Sequence, residues 1–279
     1  MKKHCDLHTH SCFSDGTLTP AQLIQLAEET GLAAVALCDH NTVAGLPAFV
    51  EAGRESTVEA VPGIEFSTEY RGTELHILGL FIREVHYEAV NGLLAEALER
   101  KKQSNTALLE KLKEQGIPVD YEAVRAEAGG TVNRAVIGAY LVRHGYCGSM
   151  EEAFDQWLSL ERGLYVPPKR PDALETVRFI KSIGAAAVLA HPLLNLDEKS
   201  LREFLMQATD LDGMEVYYSK FSPEQTTLLE QIAEEFGLSK SGGSDFHGSN
   251  KPDIRLGTGR GTLAVPLDAL AELKNRING

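Results

Sequence analysis

Seven short apolar runs with strand character recur along the chain, at residues 5–7, 33–38, 58–64, 75–81, 185–190, 213–217 and 238–241, and most are separated by segments with helix punctuation. Such alternation restricts the fold to a mainly parallel sheet with crossover helices, either open or closed into a barrel. Thr19-Pro20-Ala21-Gln22 supplies an N-cap, a proline at the first helical position and a Gln at the third, with Gly31 as the stop. Ser222-Pro223-Glu224-Gln225 repeats that start, with Gly237 as the stop. In residues 172–184, Leu174, Val177, Ile180 and Ile183 form a helical stripe. From about residue 86 to 169 the rhythm breaks and the pattern is helical throughout, with Ser149-Met150-Glu151-Glu152 as a capping box. We therefore expect one α/β domain, residues 1–98 and 170–279, with a helical insertion at 99–169.

The residues just past the strands matter as much as the strands themselves. His8 and His10 lie two apart after the first run, so an extended backbone aims both imidazoles at one point. Asp39-His40 follows the second run, Glu65 the third, His191 the fifth and Asp245-Phe246-His247 the last, while His76 lies within the fourth. In a (β/α) barrel, side chains at the carboxyl ends of strands converge on the site of chemistry. His, Asp and Glu ligands without Cys suit divalent ions such as Mn²⁺, Fe²⁺ or Zn²⁺. Several of these residues have plainer readings. Asp15 could start a turn with Gly16, Asp39 could cap the following helix, Glu65 could be a surface carboxylate, and His76 or His191 could be an ordinary histidine. Asp6 shares a strand face with His8 and is expected to hydrogen-bond a ligand imidazole. His4, His86 and His144 fit no ligand pattern.

Four cysteines without a CxxC pair suit a reducing cytoplasm, and Cys5 and Cys38 read as small buried hydrophobes. The start, Met1-Lys2-Lys3, has no apolar stretch behind it, so no signal peptide is expected, and no run is long enough to span a bilayer. A net charge of −13 argues against gripping long duplex nucleic acid. The charge is uneven: residues 99–170 hold 11 Lys/Arg against 10 Asp/Glu, and the remainder 16 against 30.

The stretches Asp6-Leu7-His8-Thr9-His10-Ser11…Asp15-Gly16, Asp39-His40, Gly63-Ile64-Glu65, His76-Ile77-Leu78-Gly79, His191-Pro192 and Ser244-Asp245-Phe246-His247 resemble the motifs of the PHP (polymerase and histidinol phosphatase) phosphoesterase superfamily. The position of the helical insertion resembles the stand-alone branch acting on nucleoside 3′,5′-bisphosphates and on 5′ ends of short RNA. The resemblance implies a distorted (β/α)7 barrel with three divalent metals, Mn²⁺ foremost. It implies one ion held by His8, His10, Glu65 and Asp245, a second by Glu65, His76 and His191, and a third by Asp15, His40 and His247. A hydroxide bridging such ions would attack phosphorus in line, with Asp15, His40, His191, Asp245 and His247 closest to the chemistry. Thr131-Val132-Asn133-Arg134 resembles the family segment carrying an arginine over the site, although relatives often show Arg-Pro-His where this chain has Asn133-Arg134-Ala135. Arg134, aided by Lys169 or Arg170, is expected to hold a second substrate phosphate. The substrate expected is a small phosphorylated nucleotide or the 5′ end of a short RNA, with no membrane partner. The rivals are a histidinol-phosphate-type phosphatase, a metal-dependent amidohydrolase, which would want a lysine after a strand, and a non-catalytic metal-binding module.

Overall fold

The computed structural model describes residues 4–128 and 132–278, so Met1-Lys2-Lys3 and Thr131 of the arginine segment lie outside the described residues. The chain divides into two compact units, one holding Met1–Asn91 with Pro171–Gly279 and the other Gly92–Arg170.

The first unit is built on one eight-stranded sheet: β1 (His4–Thr9), β2 (Ala34–Leu37), β3 (Glu59–Tyr70), β4 (Thr73–Leu80), β5 (Ala186–Leu189), β6 (Gly213–Tyr218), β7 (Ser239–Gly243) and β8 (Val265–Pro266). Their order is β7-β6-β5-β4-β3-β2-β1-β8. The ends of this order approach each other: the Asp245 N–H donates to the His8 carbonyl at 2.9 Å and the His10 N–H to the Phe246 carbonyl at 2.9 Å. Closure depends on Gly243, where a Cβ would lie 2.4 Å from that of His8. The result is a nearly closed α/β barrel of the expected class, with eight strands rather than seven. The added strand, β8, is two residues long and pairs antiparallel with β1, too short to leave a periodic signal.

Most neighbours are parallel, but β4 runs antiparallel to both β3 and β5. The cause is the two-residue loop Arg71-Gly72, with φ of 50° and 82°, which makes β3 and β4 a tight hairpin. Around the sheet, α1 (Pro20–Glu29) and α9 (Pro223–Glu235) start with the expected reciprocal capping boxes at Thr19 and Ser222. The set is completed by α2 (Leu46–Arg54), α7 (Ala173–Ser182), α8 (Glu198–Leu205) and α10 (Leu267–Asn278). Apolar residues spaced two apart, Cys5 with Leu7, Ala34 with Ala36, and Ala186 with Val188, pack with Ala269, Leu270 and Leu273 of α10 in a buried core.

The second unit holds most of α3 (Tyr87–Glu114) with α4 (Tyr121–Ala128), α5 (Arg134–Arg143) and α6 (Met150–Ala153). Leu108, Leu112, Val124, Ile137, Leu141 and Leu158 give it its own core. Ser149 caps α6 through the Glu152 N–H, but Glu152 reaches the Gly148 N–H rather than that of Ser149, so the box is not reciprocal.

Candidate metal centre

Glu65 is the hub of the centre. Its carboxylate is 1% exposed and meets five imidazoles: Oε1 lies 2.6 Å from His76 Nδ1 and 3.1 Å from His191 Nε2. Oε2 lies 3.1 Å from His8 Nε2, 3.2 Å from His10 Nε2 and 3.1 Å from His40 Nδ1. Glu65 does not end its strand, as the apolar run suggested; β3 continues past it to Tyr70. Its parallel partner β2 stops at Leu37, opposite Pro62, so the outrunning part of β3 carries Glu65 to the rim. His76 reaches the same point from inside β4 because β4 is antiparallel, which puts its first residues beside the last residues of β3, Ser67 opposite His76.

The remaining residues gather on the other side. Asp245 Oδ1 lies 3.3 Å from His10 Nε2, 3.4 Å from His247 Nδ1 and 3.9 Å from His8 Nε2. Asp15 reaches His247 Nε2 at 3.2 Å, and His10 and His40 at 3.8 Å. The nine residues singled out from the sequence thus meet in four overlapping groups whose ligand atoms lie within 4.8 Å of one another: His10, Asp15, His40 and His247; His8, Glu65 and His191; His8, His10 and Asp245; His40, Glu65 and His76. The groups share members, so they do not divide the residues into separate ion sites. His10 falls both with His8 and Asp245 and with Asp15, His40 and His247, and His8 falls with Glu65 and His191 as well.

Whether such a set suits cations can be judged from its unsatisfied atoms. His8 Nε2, both ring nitrogens of His10, His40 Nδ1, His247 Nε2 and Glu65 Oε2 are buried without a hydrogen-bond partner. Leaving one such group unpaired costs about 1–3 kcal/mol, so six at one point are a site built for something else. Divalent cations satisfy both imidazole and carboxylate lone pairs, and the donor set fits them. In the bare protein, burial drives His40 down to about 3. Burial also opposes the charged forms of His8, His10 and His76, but Glu215 and Glu65 outweigh it at His8, whose pKa sits well above the usual value. Asp245 and Glu65 lift His10 to about 9, and Glu65 and Glu74 lift His76 to about 9. Glu65 itself, despite burial, is held well below the usual carboxylate range by His40, His8 and His76. Protons on the imidazoles therefore act as the counter-charges that metal ions would displace.

Two of the nine residues carry unusual backbone. His191 has φ of 26° and Asp245 φ of 57°, left-handed conformations that non-glycine residues hold at a cost of about 1–3 kcal/mol. Asp245 is fixed by two donors to Oδ2, the Tyr218 hydroxyl at 2.8 Å and Lys251 Nζ at 2.7 Å, which leaves Oδ1 facing the histidines.

Two supporting carboxylates differ from expectation. Asp39 does not cap α2, whose N-cap is Gly45 without a side-chain hydrogen bond. It accepts from the Ser11 N–H at 2.8 Å and from the Ser11 and Ser14 hydroxyls at 2.6 Å each, pinning the loop that carries Asp15. Asp6 bonds no imidazole; it accepts from the backbone N–H groups of Ser244 and Gly257, both at 2.8 Å, and of His8 at 3.4 Å. Glu215, fully buried on β6, is missing from the set that the sequence suggests, yet its Oε1 lies 3.0 Å from His8 Nδ1 and its Oε2 accepts from the His191 N–H at 2.7 Å. A lone carboxylate inside the apolar run Gly213-Met214-Glu215-Val216 is the one available signal.

The predicted phosphate-binding residues belong to the helical unit. Arg134 opens α5 behind the N-cap Asn133, and its guanidinium lies 4.4 Å from the Tyr165 ring centre and 6.0 Å from that of Phe154. Lys169 is exposed and Arg170 half-buried.

Residues 6–166 match the family model described as the PHP domain. A 5′-3′ exoribonuclease of Haemophilus influenzae is 35% identical over 88% of this chain and 91% of its own. A phosphoribosyl 1,2-cyclic phosphate 1,2-diphosphodiesterase of Eggerthella lenta is 32% identical over 87% and 94%. A 3′,5′-nucleoside bisphosphate phosphatase of Chromobacterium violaceum is 30% identical over 87% and 86%. A crystal structure from Bifidobacterium adolescentis, provisionally described as a metal-dependent phosphoesterase, superposes with a TM-score of 0.84 at 28% identity, covering 98% of this chain and 96% of that one.

Proposed function

Because this chain belongs to the PHP domain family and is a metal-dependent phosphoesterase, we propose that it removes the 3′-phosphate of nucleoside 3′,5′-bisphosphates and acts on the 5′ ends of short RNA. The observation that carries the catalytic part is Glu65, a buried carboxylate facing five imidazoles between 2.6 and 3.2 Å. We assign His8, His10, Asp15, His40, Glu65, His76, His191, Asp245 and His247 as ligands of three divalent ions, with Mn²⁺ the favoured metal. When bound, such ions neutralise phosphoryl oxygens and acidify water.

The chain's own residues do the positioning. Lys251 and Tyr218 hold Asp245 so that one of its oxygens stays turned to the cluster. His247 Nδ1 lies 2.9 Å from the Asp245 carbonyl, a hydrogen bond that leaves Nε2 free to serve as a ligand atom. No cysteine nucleophile is needed, and burial pushes the Cys38 thiol far above its usual pKa. Arg134, its guanidinium held against Tyr165, grips the substrate's second phosphate, with Lys169 or Arg170 assisting. The names of the relatives from Haemophilus influenzae and Chromobacterium violaceum support a nucleotide or RNA substrate.

The test is a panel assay of purified, metal-reconstituted protein. It sets a nucleoside 3′,5′-bisphosphate and a 5′-phosphorylated oligoribonucleotide against histidinol phosphate, a phosphoribosyl 1,2-cyclic phosphate and an aryl phosphate. The two nucleotide substrates should be turned over with the highest kcat/KM. Faster turnover of the cyclic ester or of histidinol phosphate would replace the substrate while leaving the phosphoesterase intact.

A further inference from the structure

We infer that Glu215 is a positioning residue that selects the metal-binding tautomer of His8 and holds the strained backbone of His191, so that one carboxylate prepares two ligands of the same ion. The inference rests on the reading of His8, Glu65 and His191 as a ligand set. Those three form one of the compact groups, and they come from β1, β3 and the turn after β5. Glu215 stands on β6 and reaches both histidines, with Oε1 3.0 Å from His8 Nδ1 and Oε2 2.7 Å from the His191 N–H.

Each contact has a definite consequence. A carboxylate only accepts, so His8 must keep its proton on Nδ1. That leaves Nε2, which is buried, without a hydrogen-bond partner and 3.1 Å from Glu65, as the ligand atom. At His191, φ of 26° and ψ of 57° place the backbone outside the common regions, and the bond from its N–H to Glu215 fastens that turn. Glu215 is 0% exposed, so both bonds are made away from bulk solvent.

Substitution by an amide of the same shape separates the role from mere space-filling. In Glu215→Gln, the single oxygen can face only one of the two donors. If it faces His191, the amide NH₂ faces His8 Nδ1 and drives the ring proton to Nε2, the atom the ion needs. If it faces His8, two donors oppose each other at His191. Supporting hydrogen bonds to metal ligands typically contribute 10–100-fold in metal affinity.

The experiment measures Mn²⁺ binding to the full chain by calorimetry and by elemental analysis after dialysis. Glu215→Gln should lose about 10–100-fold in affinity at one site and keep the affinity of the others, a site-selective loss that a merely space-filling role would not produce. Unchanged affinity at every site overturns the inference. A parent protein that binds no divalent ion overturns the ligand reading itself, a separate result. Should Glu215→Gln not fold, ¹⁵N NMR of the zinc-loaded parent decides. A proton on His8 Nδ1 in slow exchange supports the role, and a proton on Nε2 overturns it.

Discussion

In the α/β unit, three carboxylates and six imidazoles gather where water is largely excluded, whereas in the helical unit carboxylates and cations meet nearer the surface, within a turn of helix or between neighbouring helices as in Arg143 with Glu127. Glu65 is 1% exposed and finds histidines on every side. Glu110 is 59% exposed and Lys113, 2.8 Å away, 39%. Arg125 with Glu122 repeats that three-residue spacing, and Arg100 with Glu96 lies four residues apart. An exposed pair of this kind is worth about 0.3–0.5 kcal/mol, while a buried ion without a proper partner costs several kcal/mol. The first arrangement stabilises the fold only when something cationic completes it; the second is stable in water and asks for nothing.

The largest expected effect comes from breaking the hub. Glu65→Gln removes one negative charge from contact with five imidazoles and replaces an acceptor by a donor. With several kcal/mol of transition-state stabilisation resting on the metals, phosphoesterase activity should fall on the order of 10³-fold or more. Retention of even a tenth of the parent rate with full metal content would show that Glu65 is not the organising carboxylate.

Removing the ions from the intact protein is the next largest perturbation. A chelator should abolish turnover and lower stability by about 2.7 kcal/mol for each ion that had been present at 100 times its Kd. The metal-free protein should also respond to pH in a definite direction. His10 and His76 bind protons more tightly folded than unfolded, with folded values near 9 against 6.5. Their stabilisation is complete below about pH 6.5 and is lost as pH rises to about 9. His40, driven down to about 3, works the other way and destabilises the fold as pH falls below 6.5. Thermal melts of chelated protein from pH 6.5 to 9 should thus show falling stability, while Mn²⁺ affinity rises over the same interval as protons leave the ligands. Flat melting temperatures across that interval would mean that the imidazoles are not the carriers of the counter-charge.

Turning to the helical unit, Arg134→Ala should cut kcat/KM for a nucleoside 3′,5′-bisphosphate by about 10–100-fold, the loss expected for a charge-assisted contact, and leave an aryl phosphate nearly unaffected. Equal losses on both substrates would mean that Arg134 supports the fold through Tyr165 and Phe154 rather than gripping a phosphate.

How much of the molecule is legible in its sequence divides along the same line, between short-range and long-range causes. The capping boxes at Thr19 and Ser222 are local, and the sequence carries them whole. The pairing of His8 with His10 needs only a strand's alternation. The apolar pattern ends β3 too early because residues 65–70 look polar, although Phe66, Thr68 and Tyr70 keep the two-residue alternation of a half-buried strand. Glu215 leaves little trace because its importance lies in reaching β1 and the turn after β5 at once, which no spacing within 213–218 expresses. Asp6 and Asp39 read as supports, but their partners are backbone and serine groups brought from residues as far away as Gly257, and only the closed barrel reveals them.

The smallest effect is also the most discriminating control on the contrast between the two units. Lys113→Ala removes one half of an exposed pair on α3, three residues from Glu110. Its side chain is solvated in both folded and unfolded chains, alanine is itself a good helix former, and the Coulomb term at the surface is screened by salt. Stability measured by denaturant unfolding should change by less than about 0.5 kcal/mol, with metal content and turnover as in the parent. A loss of activity from Lys113→Ala would mean that the exposed pair on α3 is not the self-contained surface feature that its geometry implies. The line between buried groups that ask for cations and exposed pairs that solvate themselves would then have to be redrawn.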